Sequence, residues 1–446
     1  MSALTDLRTR PAALKRAIEL RHKPYPDVDE LVALDAECRR LAGEVNALRA
    51  RRNEEGQKLA EAKKKGGSAA DADLAKELAL LRRTIAEKES ALADAESRRD
   101  ATVLLLPQIP HESVPEGKDG SENVVVREVP STVATVPDPK PHYEIGPELN
   151  LIDTERGAKV AGEGFYFLLG DGARLELALV NFMRETHRAK GYTEVFPPIL
   201  VSNASMLGTG QLPKFAEDSY QTTLDQMWLV PTAEVPLTNL YRDEVLLGSD
   251  LPLKIMGYTP CFRREAGGHG VETRGVARVH QFNKVELVNF THPDRSYAQL
   301  ETLLTEAVAI VEALGLRYRI VNLCTGDLPD KAAKCYDIEL WAPGAKRWLE
   351  VSSVSNFEDF QAFRAGIRFR EQQSSKPELL HTLNGSGTAL PRLMIALMET
   401  WQTTGGKIEI PPALRPYFPG QTHLQPTPLV GERELGRGRR TWEKSN

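Results

Sequence analysis

The sequence predicts an α+β protein: an N-terminal antiparallel two-helix coiled coil, then a larger domain built on an antiparallel β-sheet flanked by helices. Three observations carry this expectation. Apolar residues between Leu31 and Leu106 fall on alternating three- and four-residue steps, the seam of a heptad repeat. A glycine-containing stretch, KKKGGSAAD at 63–71, divides the seam in two. From residue 142 onward, strand-like and helix-like runs mix without the regular alternation of a parallel sheet.

The chain has 446 residues, a length that suggests two or three domains with cores large enough to need no staples. Its 41% hydrophobic and 27% charged content is that of a soluble globular protein. No window approaches the roughly 18 uninterrupted apolar residues of a membrane span. The start, MSALTDLRTRP, lacks an apolar signal core, so a cytoplasmic location and no membrane partner are expected. Cys38, Cys261, Cys324 and Cys335 are widely spaced with no CxxC pair, which argues for reduced thiols and against a disulfide framework or a four-thiolate zinc site. The net charge of −5 disfavours a nucleic-acid partner only until it is counted by segment. Residues 1–110 carry 21 basic and 19 acidic side chains, net +2; the rest carries 36 and 43, net −7. A basic helical face can be merely solvated, or it can form an anion-binding arm within an acidic whole.

The elements follow in order. Residues 1–26 read as one short helix ended by Pro24 and Pro26. The first seam runs through Leu31, Leu34, Cys38, Leu41, Val45, Leu48, Leu59 and Ala62, with Arg52 and Glu55 as polar members. The second uses Leu74, Leu78, Leu81, Ile85, Leu92, Ala95 and Leu106, interrupted by Lys88 and Arg99. Two arms of about 36 residues, each roughly 54 Å long, form a hairpin over about 27–106 that buries only its own seam and is expected to project. It suits a partner-binding spoke or a basic finger laid on nucleic acid. Residues 111–141, rich in proline and charge with one strand-like run at 123–129, read as a linker.

In the body, 175–191 has helical spacing and stops at Gly191, and TEVFPPIL is extended, with prolines that exclude a central strand. KIMGYTPCFRRE and RVHQFNKVELVNF are strands around a glycine-containing loop, and 296–315 is an amphipathic helix. YRIVNLC, CYDIELWA and RWLEVSSVS are further strands, HTLNGSGTALPR (381–392) reads as a glycine-bearing turn, and 390–402 is an apolar helix.

There is no GxxxxGK[ST] loop and no GxGxxG after a strand, so a nucleotide would be held some other way. Arg263 and Glu265 share one face of a strand end, and Arg278, His280, Phe282, Lys284 and Glu286 stand at even spacing on one face of the next strand. Burying such a face is costly unless its groups meet a charged ligand. EVSSVSNFE at 350–358 sets a carboxylate beside hydroxyls, oxygen donors that suit a hard divalent cation. His280, Cys261 and Cys324 share no ligand-like spacing, so no structural zinc is expected.

Together these segments resemble the seryl-tRNA synthetases of the bacterial type, which are class II aminoacyl-tRNA synthetases, from about residue 1 to Gly420. GYTEVFPPIL, CFRREAGGHGVETRGVARVHQFNKVEL and LNGSGTALPR look like the three class-defining motifs; VPTAEVPL, EVSSVSNFEDFQAFR and GIRFR look like additions of this family. The resemblance implies a tRNA-binding domain at 1–110, a class II catalytic domain at 142–420 and a C-terminal extension at 421–446. It implies activation of L-serine by ATP and transfer to tRNA-Ser (and to the selenocysteine tRNA where one exists), with Mg²⁺, by a homodimer with Pro198 at the conventional interface position. Arg263 and Arg392 match the catalytic arginines. Thr232, Ala233, Glu234, Arg263, Glu286 and Ser386 match serine-binding positions. Arg263, Arg264, Glu265, Arg278, Val279, Phe282, Glu350, Val351, Ser352, Ser353 and Arg392 match ATP-binding positions, Phe282 as the ring on which adenine stacks. Glu350 and Ser353 match the Mg²⁺ ligands. The hairpin would hold the long variable arm of the tRNA, with Arg49, Arg52, Lys63, Lys64, Arg82 and Arg83 as phosphate contacts.

Three positions depart from the family pattern: Arg264 stands where Ser is usual, Phe363 where Arg is usual, and Glu272 where Asp is usual. The tail, with RELGRGRR, lies beyond the match; it is expected to be a disordered solubilising extension, with an additional RNA contact as the alternative. Two competitors are a non-catalytic synthetase-like RNA-binding protein and a class II relative charging another small amino acid. The presence of Arg263, Glu286, Glu350 and Arg392 counts against the first, and the hairpin with Thr232–Glu234, Glu286 and Ser386 against the second.

Overall fold

The computed structural model describes residues 3–64, 69–265 and 274–428, with the backbone alone at 62–64 and 69–72. The chain divides into two compact units, Met1–Pro110 and His111–Asn446. In the first, two helices, α1 (Ala3–Thr9) and α2 (Pro11–Arg21), stand where one was expected. Pro11 explains the break: it has no N–H to continue α1, but at the first turn of α2 none is needed. The hairpin arms are α3 (Val28–Lys64) and α4 (Ala69–Val103), so helix reaches further into the 63–71 turn than expected from both sides.

The seam is buried where the heptads are apolar, at Leu31, Cys38, Leu41 and Val45 of α3 and at Leu78, Leu81, Ile85 and Ala95 of α4. Two of its polar members find partners across the hairpin, while Arg52 and Glu55 pair within α3, with Asn53 and Lys58. Lys88 Nζ lies 2.8 Å from Glu44, and Arg99 lies 3.6 Å from Asp35. Asp35, with its side chain 2% exposed, also pairs with Arg8 at 2.7 Å and Arg39 at 3.2 Å. One carboxylate thus joins α1, α3 and α4.

The second unit is organised by an eight-stranded sheet. Its members in chain order are β1 (Val124–Val129), β2 (Thr193–Val195), β3 (Leu253–Phe262), β4 (Gln281–Thr291), β5 (Tyr318–Asn322), β6 (Lys334–Ala342), β7 (Arg347–Asn356) and β8 (His381–Ala389). Across the sheet they run β1-β5-β6-β7-β8-β4-β3-β2, antiparallel except for the β2–β3 pair. Helices α5 (Asp171–Ala189), α6 (Ser296–Ala313) and α7 (Leu390–Thr400) cover one face. Leu179 and Met183 of α5, Leu303 and Ile310 of α6 and Leu393 and Leu397 of α7 pack with Leu287, Ile338, Val354 and Leu383 of the sheet in one core. The period of two along β4 then turns Phe282, Lys284 and Glu286 to the opposite face.

Three expectations are corrected. Residues 381–389, read as a turn, are the central strand β8. Their glycines serve close packing: a Cβ at Gly385 would lie 3.3 Å from Leu303, and one at Gly387 3.2 Å from both His187 and Val285. Residues 111–141 are not a free linker, because β1 pairs with β5 at the sheet edge and Thr132 N–H donates to Gly315 O. The described part of the tail, 421–428, belongs to the fold: Leu424 is in the core, and Gln421 side-chain and Gln425 backbone N–H groups donate to Asp171 in the first turn of α5. Glu272 and the RELGRGRR stretch lie outside the described residues.

The hydrogen bond from Arg8 is the main reason the Asp35 carboxyl is held below its ordinary 3.8. A lowered native pKa contributes stability above about pH 4 that is lost as pH falls through the native value. Asp35→Asn is expected to cost about 1–3 kcal/mol at pH 7 in urea melts of the full chain, the lower end favoured because Arg8 and Arg39 are half exposed. The gap between the two proteins should narrow by pH 3; an equal gap at both pH values would remove the charge from the explanation.

Candidate active site

A cavity of about 540 Å³ opens on the face of the sheet away from the helices. Strand ends bring the even-numbered set of β4 beside β7 and β8. Phe282 pairs with Cys261 of β3, and Glu286 stands opposite Ser386 of β8. Among the lining residues are Thr232, Glu234, Arg263, Glu265, Arg278, Val279, Phe282, Glu350, Val351, Ser352, Ser353, Ser386 and Arg392. Sequence reasoning named these thirteen, and folding gathers them from segments up to 160 residues apart.

Three named residues lie elsewhere. Ala233 turns into an apolar cluster with Leu237 and Ile255, so any contact with a ligand would not come from its side chain. Arg264 is outside the lining; its guanidinium donates to Glu217 O at 3.2 Å and its N–H to Asp218 O at 2.8 Å, anchoring the segment that supplies Asp218 to the wall. Glu286 is completely buried behind the wall.

One end of the cavity is cationic and aromatic. The Arg263 guanidinium lies 5.3 Å from the centre of the Phe282 ring and donates to Pro231 O. Arg278 pairs with Glu265. Glu265 holds φ at 50°, a left-handed conformation that costs a non-glycine residue roughly 1–2 kcal/mol and that clusters at functional sites. On the far wall, Arg392 Nε donates to Ala277 O at 3.1 Å and Nη1 to Glu350 O at 2.8 Å, joining α7 to β7 and to the segment entering β4. That segment has a second support. Buried Glu399 of α7 accepts from His142 N and Nδ1 and from the N–H groups of Gly344 and Ala345, while His142 Nε2 accepts from Val276 N at 3.4 Å.

The remaining walls are hydroxyls and carboxylates. Ser353 Oγ donates to Glu350 Oε1 at 3.0 Å, and Ser352 Oγ to Ser386 O at 2.6 Å. Asp337, opposite Ser353 in register, is raised well above the ordinary carboxylate range by burial and by the nearby Glu350 charge. Thr232 Oγ1 accepts from Lys284 Nζ at 2.9 Å and Glu234 N at 3.2 Å, which leaves its hydroxyl proton for an acceptor. Glu234 is held by Lys331 at 2.6 and 2.8 Å and by Gln361 at 2.5 Å.

Asn384, Lys331 and Gln361 were missed by sequence reasoning. Asn384 stands two residues before Ser386 and would have shared its face had 381–389 been read as a strand. Lys331 comes from a turn and Gln361 from the short helix Phe360–Ala365, neither carrying a local signal. Of the zinc candidates, Cys261 is a buried thiol whose pKa burial raises, Cys324 Sγ donates to Asp119 O at 3.2 Å, and the His280 ring packs on Phe165. No group of three His, Cys, Asp or Glu side chains among the described residues is placed to hold a metal ion. On the hairpin, Arg49 pairs with Glu89 at 2.8 Å, Arg83 with Glu87 at 2.9 Å, and Arg52 with Asn53 at 2.9 Å, while Arg82 is exposed. The side chains of Lys63 and Lys64 lie outside the described residues.

An arginine-rich cavity on the open face of an antiparallel sheet, with no phosphate loop, is the arrangement of a class II aminoacyl-tRNA synthetase. Residues 217–401 match the family model described as the tRNA synthetase class II core domain (G, H, P, S and T), and residues 1–110 match the seryl-tRNA synthetase N-terminal domain. Similar proteins include the serine–tRNA ligases of Haloquadratum walsbyi, 48% identical over 97% of this chain and 98% of the relative, and of Chloroherpeton thalassium, 47% identical over 92% and 97%. The crystal structure of Pyrococcus horikoshii seryl-tRNA synthetase complexed with ATP superposes with a TM-score of 0.88 at 34% identity, covering 96% of this chain and all of that one. The cytoplasmic serine–tRNA ligase of Naegleria fowleri in complex with AMP gives 0.81 at 29% identity, covering 93% and 96%. The chain belongs to the seryl-tRNA synthetase family.

Proposed function

We propose that this cavity activates L-serine with ATP and then passes the seryl group to the 3′ end of the serine tRNA. The observation that carries the reading is the convergence of Arg263, Arg278, Arg392 and Phe282 with Thr232 and Ser386 on the lining of one cavity. The serine carboxylate attacks the α-phosphate of ATP in line, pyrophosphate leaves, and the terminal ribose hydroxyl of the tRNA then displaces AMP from the seryl-adenylate. Both partners of the first step are anions, so the barrier is lowered by fixed cations and by alignment more than by proton transfer. Arg263 reaches the serine carboxylate and the α-phosphate, Arg278 and Arg392 hold the outer phosphates, and adenine stacks on Phe282. Glu265 accepts from the adenine amino group, Val279 and Val351 line the nucleotide site, and the Thr232 hydroxyl donates to the carboxylate.

Glu350 and Ser353 fit a hard cation: both offer oxygen, their side chains touch, and both face the cavity. Mg²⁺ held there would neutralise charge on the ATP phosphates. The four buried cysteines are free thiols, which fits an enzyme of the reducing cytoplasm. No helix among the described residues is long and apolar enough to cross a membrane.

A homodimer is proposed from the surface beside β2. Phe196 is 92% exposed, and Ile199 and Leu200 are also exposed, a cluster of apolar groups that suits a twofold contact. Phe196→Asp is expected to shift the protein to the monomer mass in sedimentation at micromolar concentration, with its far-ultraviolet circular dichroism kept; an unshifted dimer would place the contact elsewhere.

ATP–pyrophosphate exchange with serine, threonine, alanine and glycine in parallel tests the activity. Exchange should depend on serine, with alanine and glycine at least a hundredfold weaker, because a site built to hold a hydroxyl leaves polar groups unpaired when it is missing. Folded protein with Mg²⁺ that fails to exchange with serine would reject the reading. Replacing Arg49, Arg52, Arg82 and Arg83 together by Ala should cut tRNA charging at least tenfold and leave exchange within twofold. Equal losses in both assays would show that the hairpin does not act separately on tRNA.

A further inference from the structure

Lys284 has no role in the chemistry described so far, yet it sits at its centre. Its side chain is 7% exposed, and its ammonium lies 2.5 Å from Glu286 Oε2 and 2.9 Å from Thr232 Oγ1. The first contact is within β4; the second reaches the segment that leads into Glu234. A lysine buried to this degree needs such partners, and it has taken two groups from the surface proposed to bind serine.

The hydrogen bonds of Glu286 show the consequence. An ionised carboxylate offers about four acceptor positions and no donor. Asn384 Nδ2 takes one on Oε1 at 2.8 Å, while Lys284 and Ser386 Oγ, at 3.4 Å, take two on Oε2. These donors also bury Glu286 completely. A substrate donor must therefore join them or displace one. The charged contact with Lys284 is short, and the Ser386 contact is long and neutral, so Ser386 is the partner that yields.

We propose that Lys284 is a specificity-determining positioning residue: the permanent counter-ion that fixes the Glu286 carboxylate as an acceptor, so that the hydroxyl of the bound amino acid takes over the position held by Ser386. A hydroxyl donates to that position; the methyl group of alanine and the hydrogen of glycine cannot. Anchorage on Thr232 keeps the ammonium from following the carboxylate when substrate enters, and holds the two walls of the pocket at one spacing. Lys284 acts through Glu286, not on the reacting atoms. This inference rests on the serine-site reading of Thr232, Glu286 and Ser386.

The experiment is ATP–pyrophosphate exchange by the full-length protein, comparing K284M, K284R, E286Q and the double variant K284M/E286Q. K284M should raise the KM for serine at least tenfold, leave the KM for ATP within twofold, and lower the ratio of serine to alanine kcat/KM at least tenfold. K284R, which keeps a cation there, should recover most of that ratio. On the E286Q background K284M should add less than twofold, because no carboxylate remains to be fixed. Parallel rises in the KM of serine and of ATP, an unchanged serine KM in K284M, or a full additional loss in the double variant would each overturn the proposal. Should K284M fail to fold, the double variant leaves no unpaired buried charge, and its comparison with E286Q decides. If E286Q itself leaves the serine KM unchanged, the reading of the serine site fails, and with it the ground for this inference.

Discussion

A completely buried carboxylate cannot stand alone in a protein, and the arrangement around Glu286 follows from that constraint. Bulk solvent does not reach it, so its oxygens are met by donors from the chain. Those donors come from three places: Lys284 on its own strand, and Asn384 and Ser386 on β8. Side chains must also rise from the same face of both strands, which sets the β4–β8 register at the level of Glu286. Gly385 and Gly387 leave no side chain at their own positions on the other face of β8, so that Leu303 of α6 and His187 of α5 pack against the backbone there. The requirement for a polar pocket on one face and close packing on the other meets in a single strand.

The same logic extends outward from the cavity. Buried carboxylates here occur in partnered sets: Glu234 with Lys331 and Gln361, and Glu399 with His142 and two backbone amides; the half-buried Glu265 is likewise paired with Arg278. Each set joins segments distant in sequence and so fixes a wall. The Arg392 guanidinium does this twice, bridging α7 to β7 and to the entry of β4, and remains on the lining. A site that must stabilise phosphate charge by preorganisation is served by such crosslinks, since donors held in place need no reorganisation when charge develops. The hairpin applies the rule at lower cost. Lys88 and Arg99 of its seam pair across the helices, and Asp35 gathers three arginines.

Much of this was legible in the chain. The heptads of α3 and α4, the spacing of two along β4, and the glycine and proline boundaries of α5 and α6 are local signals, repeated often enough to survive folding unchanged. The motif residues from Thr232 to Arg392 were legible because their types and order match a family. What was lost is equally specific. Gly385 and Gly387 look like turn residues from within the chain, and only the neighbours Leu303 and His187 reveal that they are packing residues. Arg264 was expected among the nucleotide-binding residues; its guanidinium instead meets the Glu217 carbonyl, outside the cavity lining. Residues 421–428 gave no sign that Leu424 completes a core that begins at Ile145.

By itself the sequence determined most element types, the division into a helical hairpin and a sheet domain, and the identity of the arginines, the stacking ring and many of the hydroxyl and carboxylate groups around the cavity. These properties depend on residues within a turn or a strand of one another, or on the match of ordered motifs. The tertiary structure decided which of those groups are free to meet a ligand and which are committed to one another. Glu286 became an enclosed acceptor, Lys284 its counter-ion and Thr232 a donor only when β4, β8 and the 230–234 segment were brought within 3 Å. Hydrogen-bond occupancy is a property of three-dimensional neighbours, and no linear pattern specifies it.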